Sequence, residues 1–246
     1  MPRSKKKSPL GNFFRWCLKQ LARIIVLLIL LTFIQVLSFK FINPPFTVRY
    51  TGSWFQKTFT GRSGKIPSSE WRSLEQISPF LRKSVLAAED QRFLIHDGFD
   101  FIEMNEAIES LLFEKKKRGA STISMQVART VFLWHSRSIW RKIAESYYTL
   151  LIELLWSKQR ILEVYLNTVD WGSGIMGAEA ASKKYFQTSS TNLTPSQAAL
   201  LASILPSPHR WSPLHPSEYI KERQKWILKE SKKMPLVGRR AYSTSH

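Results

Sequence analysis

Residues 24–39, IIVLLILLTFIQVLSF, carry no charge at all. With its neighbours the apolar stretch covers 21–42, long enough for a helix to cross a bilayer, since Arg23 and Lys40 can snorkel at its ends. A cleaved signal sequence and a buried soluble helix are the alternatives. The stretch is long for the first, and bulky SFKFINPPF stands where a small-residue cleavage site would be; the basic flank argues against the second. Asn43-Pro44-Pro45 ends the span, and residues 46–68, with scattered glycines and aromatics, read as irregular or short strand. From there the spacing is helical. EWRSLEQISPFLRKSVLAAEDQRF places Leu81, Val85, Leu86 and Phe93 on one side. FIEMNEAIESLLFEKKKRG is amphipathic, with early acids, late bases and Gly119 as its stop. STISMQVARTVFLW starts at Ser121 or Thr122. IWRKIAESYYTLLIELLW is long and strongly apolar, and KQRILEVYLNTV closes at Trp171-Gly172. TPSQAALLASIL has Thr194 as N-cap, Pro195 at the first helical position and Gln197 to complete a capping box, and ends before Pro206 and Pro208. Alternating strand patterns are few. The pattern predicts a mostly α domain after the span, with a loose tail from Met234.

Charge changes the picture next. The chain has 37 Lys and Arg against 18 Asp and Glu, net +19. Such a balance implies an anionic partner: nucleic acid, a membrane surface or a phosphorylated substrate. Arg3, Lys5, Lys6, Lys7, Arg15, Lys19 and Arg23 precede the span, and the first carboxylate is Glu70. The positive-inside rule puts residues 1–23 in the cytoplasm as a basic tail, residues 24–42 across the membrane, and residues 43–246 outside. Chromosomal DNA is not on that side, so nucleic acid is not the expected partner. The one cysteine, Cys17, lies on the cytoplasmic side, so the outer domain must rest on its core.

Three stretches could carry chemistry. In AAEDQRFLIHDGFD, a continuous helix would place Glu89, Phe93 and His96 at i, i+4 and i+7 on one face. A carboxylate beside Phe93 is partly desolvated, which raises its pKa and makes it a better proton acceptor. The plain alternative is a helix end whose acids face water, and a metal site from Glu89, His96 and Asp100 is a further one. In RGASTISMQVAR, backbone and hydroxyl donors gather at a helix start, an anion seat or an ordinary cap. In SRSIWRKIAE, Arg137, Arg141 and Lys142 suit diphosphate oxygens, with Glu145 behind them; otherwise they form a solvated face.

Taken in order, EDQRFLIHDGFD, GASTISMQVARTVFLW, RKIAE, KQRILEVYLNTVDWG and GAEAASKKYF followed by LTPSQAALLASILPSP resemble the peptidoglycan glycosyltransferases, glycosyltransferase family 51. FLWHSRS, with no transpeptidase domain following, is similar to the monofunctional biosynthetic members. The resemblance covers roughly residues 65–215. It implies a lysozyme-like helical glycosyltransferase domain with a small membrane-proximal jaw. It also implies polymerisation of lipid II into β-1,4-linked glycan with inversion, undecaprenyl diphosphate leaving from the growing chain. By position, Glu89 and Glu145 match catalytic carboxylates, Glu89 as the base. Asp90, Phe93, His96, Ser121, Thr122, Gln126, Arg129, Arg137, Arg141 and Lys142 match substrate-binding positions, Phe93 and His96 by shaping the surroundings of the base. The implied partners are lipid II, undecaprenyl-diphosphate-linked glycan, the membrane, and other cell-wall synthesis or division proteins. The implied location is the bacterial inner membrane, single-pass, with a periplasmic catalytic domain. No cofactor is demanded, and a divalent cation, Mg²⁺ or Mn²⁺, is compatible with the family. Phe101, Ile102, Leu111, Leu112 and Phe113, beside residues 115–118, suit the jaw or simply the core. Where the family commonly has Gly-Gly-Ser-Thr-Ile-Thr-Gln-Gln, this chain has Ala120, Ser124 and Met125, and Arg129 stands where lysine is usual. These departures bear on substrate affinity. A lytic transglycosylase, which cleaves glycan with one glutamate as acid, and a membrane-anchored scaffold without catalysis are the rival functions.

Overall fold

The computed structural model of the protein describes residues 9–44, 70–113, 119, 121–134, 136, 138–172 and 174–238. The expectations for residues 46–68, for Arg137, for Ala120 and for 115–118 lie outside them, as does the side chain of Leu111. The described chain divides into two compact units, residues 1–42 and 43–246.

The first unit is one helix, α1 (Pro9–Phe41). It starts inside the basic tail, well before the uncharged run. Its segment Phe13–Phe41, 29 residues, is long and apolar enough to cross a membrane, about 40 Å at the helical rise. Its polar side chains turn back on the backbone: Thr32 Oγ1 donates to Leu28 O at 3.0 Å, and Ser38 Oγ to Ile34 O at 2.8 Å. This hides donors that lipid could not satisfy.

The second unit holds α2 (Pro79–Glu89), α3 (Phe101–Phe113), α4 (Ile123–Phe132), α5 (Ile139–Leu155), α6 (Lys158–Thr168), α7 (Gly177–Phe186), α8 (Pro195–Ile204) and α9 (Glu218–Ser231). Among the described residues the only β pairing is a bridge between Asp170 and Met176. The starts are capped as the sequence asks. Ser78, Thr122, Ser138, Ser157, Thr194 and Ser217 each accept from a first-turn amide, and the Thr194–Gln197 capping box is present. Helix α2 packs on α8 and α9, and α4 packs on α5 and α6. Phe93, Leu81, Ile123, Ile161, Leu166 and Trp171 are among the side chains closed in the core, each contributing about 1.5–3 kcal/mol by burial.

Two expectations are corrected. The helix through EDQRFLIH stops at Glu89: Asp90, at φ −162°, breaks it, and residues 91–98 form turns. Glu89, Phe93 and His96 therefore do not share a helical face. The tail is not loose from Met234, because Arg82 Nη1 donates to Val237 O and Gln159 Nε2 to Gly238 O, both at 2.9 Å, and Val237 is buried. On α3 the alternative of packing on the core fails for Phe101, Ile102, Leu112 and Phe113, all exposed. Ile139, Trp140, Ile143, Leu150 and Leu154 of α5 stand open too.

Candidate active site

Glu89 is the last residue of α2 and lies at a cleft of about 750 Å³. Ser121, Thr122, Gln126 and Arg129 form one wall. Leu205, Pro206 and Trp211, with Tyr219, Arg223 and Trp226 of α9, form the other. The carboxyl is half-buried. Burial pushes its pKa up from the ordinary value and Asp90 adds to the rise, while the Gln126 hydrogen bond and the Arg223 and Arg129 charges pull the other way. Gln126 Nε2 donates to Glu89 Oε2 at 3.0 Å. The Gln126 Oε1 in turn accepts from the Tyr165 hydroxyl at 3.4 Å, which fixes the amide's orientation. Burial holds the Tyr165 phenol far above its usual pKa, so it remains a donor.

Asp90 locks the turn that follows Glu89. His96 Nε2 meets its two oxygens at 3.0 and 3.1 Å, and Ile123 N donates to Oδ2 at 2.9 Å. Gly98 N donates to His96 Nδ1 at 3.1 Å, so the neutral ring carries its proton on Nε2 toward Asp90. Phe93 and His96 are 1% and 7% exposed and do not line the cleft. His96 instead holds Asp90, which does line it. Gly98, at φ +91°, allows the close approach of this turn to α5; a Cβ there would stand 2.8 Å from Thr149 and 2.9 Å from Glu153.

At the start of α4, two of the backbone donors expected for an anion are taken within the protein. Asp90 takes the Ile123 amide, and Thr122 Oγ1 takes the Met125 amide while donating to Gly98 O at 2.7 Å. Ser124 is buried and bound to Glu153, which pairs with Lys158 at 2.8 Å. The Ile123 and Met125 amides of the helix start are thus satisfied by the protein itself. Ser121, half-exposed, and exposed Arg129 remain to meet an anion. Met125 is buried too, so its thioether replaces nothing on the cleft surface.

Glu145 is fully buried on α5, paired with Arg141 Nη1 and with Lys142 Nζ at 2.7 Å. None of the three lines the Glu89 cleft. Glu145 holds the two cations in place. The Glu89–His96–Asp100 metal reading fails on the partners: His96 is bound to Asp90, and Asp100 to Arg92 at 2.9 Å. Among the described residues no group of three His, Cys, Asp or Glu could hold a metal ion.

Sequence reasoning missed Arg223, Tyr219, Trp226 and Trp211. Their signal was present in SEYIKERQKWILKE, where Tyr219, Arg223 and Trp226 recur at one helical face. The cleft therefore joins a desolvated carboxylate to two arginines and several aromatic rings. It can take a proton from a hydroxyl on one side and steady an anion on the other.

The transglycosylase family model matches residues 56–232. The chain is 45% identical over 225 residues to a biosynthetic peptidoglycan transglycosylase of Shewanella oneidensis, covering 90% of this chain and 92% of that one. It is 43% identical over 201 residues to one of Xanthomonas campestris pv. campestris, 82% of each. To one of Stutzerimonas stutzeri it is 42% identical over 217 residues, 88% of this chain and 89% of the relative.

Proposed function

The chain belongs to the transglycosylase family and is a glycosyltransferase of peptidoglycan synthesis, and from that premise we propose that it polymerises lipid II with Glu89 as the base. The observation that carries this reading is the placing of a half-buried, pKa-raised Glu89 in one cleft with Gln126, Arg129 and Arg223. The acceptor's 4-hydroxyl attacks the donor's anomeric carbon. The new C–O bond forms as the bond to the diphosphate oxygen breaks, with inversion. The hydroxyl proton goes to Glu89, and the electron pair leaves with undecaprenyl diphosphate. That leaving group is a weak base, so cations suffice for it and no strong general acid is needed. Arg129, which lines the cleft, supplies this charge. Lys142, whose side chain is 44% exposed, is the more open of the two cations that Glu145 holds. The family resemblance adds Arg137. No step here runs through a metal.

The N-terminal helix anchors the protein in the membrane. The basic residues before it favour a cytoplasmic N-terminus and a catalytic domain on the periplasmic side of the inner membrane. Exposed Phe101, Ile102, Leu112 and Phe113 on α3 support contact of this jaw with lipid, where the substrate's own tail resides. Incubation of the full chain with lipid II, and separately with purified glycan strands, tests the reading. Strand growth from lipid II with glycan left intact is expected; cleavage of glycan without growth would turn the assignment to a lytic enzyme.

A further inference from the structure

The cleft wall opposite Arg129 is aromatic, and the chemistry above makes no use of its rings. Tyr219, Arg223 and Trp226 turn one face of α9 into the cleft. Tyr219 is 57% and Trp226 44% exposed. Trp211, from the loop after α8, tilts against Tyr219 with ring centroids 5.5 Å apart at 50°. With Glu222, the same three α9 residues line a second hollow of about 310 Å³, so the aromatic surface continues outward from Glu89. Large rings left open inside a concave site suit a ligand that covers them. Arg223 adds direction. Its Nη2 donates to Ala88 O at 3.3 Å, next to the base, while its Nε is buried without a hydrogen-bond partner among the described residues.

A pyranose fits this wall. One face of an equatorially substituted sugar ring presents C–H groups to an aromatic face, and its rim carries oxygens for a guanidinium. A lipid tail would use the rings and leave the arginine idle. Arg129 stands across the cleft for the donor's diphosphate, so the α9 side falls to the acceptor. We propose that Tyr219 and Trp226, backed by Trp211, form a stacking platform for the N-acetylated sugars of the acceptor, with Arg223 donating to an oxygen of their substituents. This rests on the polymerase reading and names the sugar subsite within it.

The test uses the full chain in detergent micelles and, as probe, the lipid-free disaccharide of N-acetylglucosamine and N-acetylmuramic acid, followed by saturation-transfer NMR. Transfer is expected to concentrate on C–H protons of one ring face. It should fall roughly tenfold in Tyr219→Ala/Trp226→Ala, the size of a lost ring contact, persist in Tyr219→Phe/Trp226→Phe, and persist in Glu89→Gln. With lipid II, the alanine pair should raise KM roughly tenfold while kcat holds within about threefold. The phenylalanine pair guards against misfolding, since it keeps the rings. No transfer in the wild type, or equal transfer in the alanine pair, would overturn the platform. A wild-type chain that binds the disaccharide yet makes no glycan would strike the polymerase reading and leave the platform standing.

Discussion

The Gln126 side-chain amide donates to Glu89 Oε2 at 3.0 Å, so Glu89 carries a hydrogen bond on one oxygen and meets the cleft with the rest of its carboxyl. Gln126 is itself held by the Tyr165 hydroxyl. Residues from α2, α4 and α6 thereby aim one carboxylate. Gln126→Ala removes both the aim and a bond that favours the ionised form. The expected result is a kcat lower by about 10–100-fold and an acidic limb of the pH–rate profile moved to higher pH. A rate–pH series on both proteins checks it.

A raised carboxyl pKa is also a cost in stability. Burial leaves the Glu89 pKa higher in the folded chain than in the unfolded one. Above both values the native state therefore carries a charge it disfavours, and the penalty fades as pH falls through the folded and then the unfolded pKa. Glu89→Gln is expected to raise Tm at neutral pH, with the gain shrinking in acid. Thermal unfolding at several pH values measures this. A lower Tm for the variant at neutral pH would contradict the desolvated base.

Glu179 shows the opposite sign. Burial would raise its pKa, but hydrogen bonds from Ser190 Oγ, Ser190 N, Arg72 and Ser189 hold it at about 2. Its contribution is complete above the ordinary carboxylate range and is lost as pH falls toward 2. Glu179→Gln is expected to cost on the order of 2–3 kcal/mol at neutral pH, with the difference closing in acid. Denaturant titrations at neutral and acidic pH read it directly.

Asp90 ties the turn after Glu89 to the start of α4 through His96 and the Ile123 amide. Asp90→Ala leaves both donors buried and unpaired, a loss of about 2–4 kcal/mol. Since Glu89 is the preceding residue, lipid II turnover should fall with stability. Asp90→Asn, which keeps an acceptor for Ile123, should lose less of each. Unfolding curves beside turnover rates separate the two variants.

Much of this was legible along the chain, and what was hidden has a common cause. Thr122, Thr194 and Pro195 announce their helix starts because capping is decided within four residues. The grouping of Glu89 with Ser121, Gln126 and Arg129 followed from the order of the motifs. The end of α2 did not, because the turn at 91–98 is set by the Asp90 bond to Ile123, 33 residues on. The same holds for Ser124, whose hydroxyl looks like a free donor until Glu153 claims it. Arg223 escaped notice because it reaches the Ala88 carbonyl from 135 residues away. The C-terminal stretch is held by bonds to its backbone carbonyls, which no side-chain pattern records.

The central claim is that the Glu89 carboxylate takes the acceptor's proton. The most direct measurement is glycan synthesis from lipid II by the full chain and by Glu89→Gln, with lipid II binding measured on both. The account predicts binding within about threefold of wild type, since the substituted amide is nearly isosteric, and a polymerisation rate reduced by at least about 10³-fold. Glycan made by the variant at the wild-type rate would contradict it.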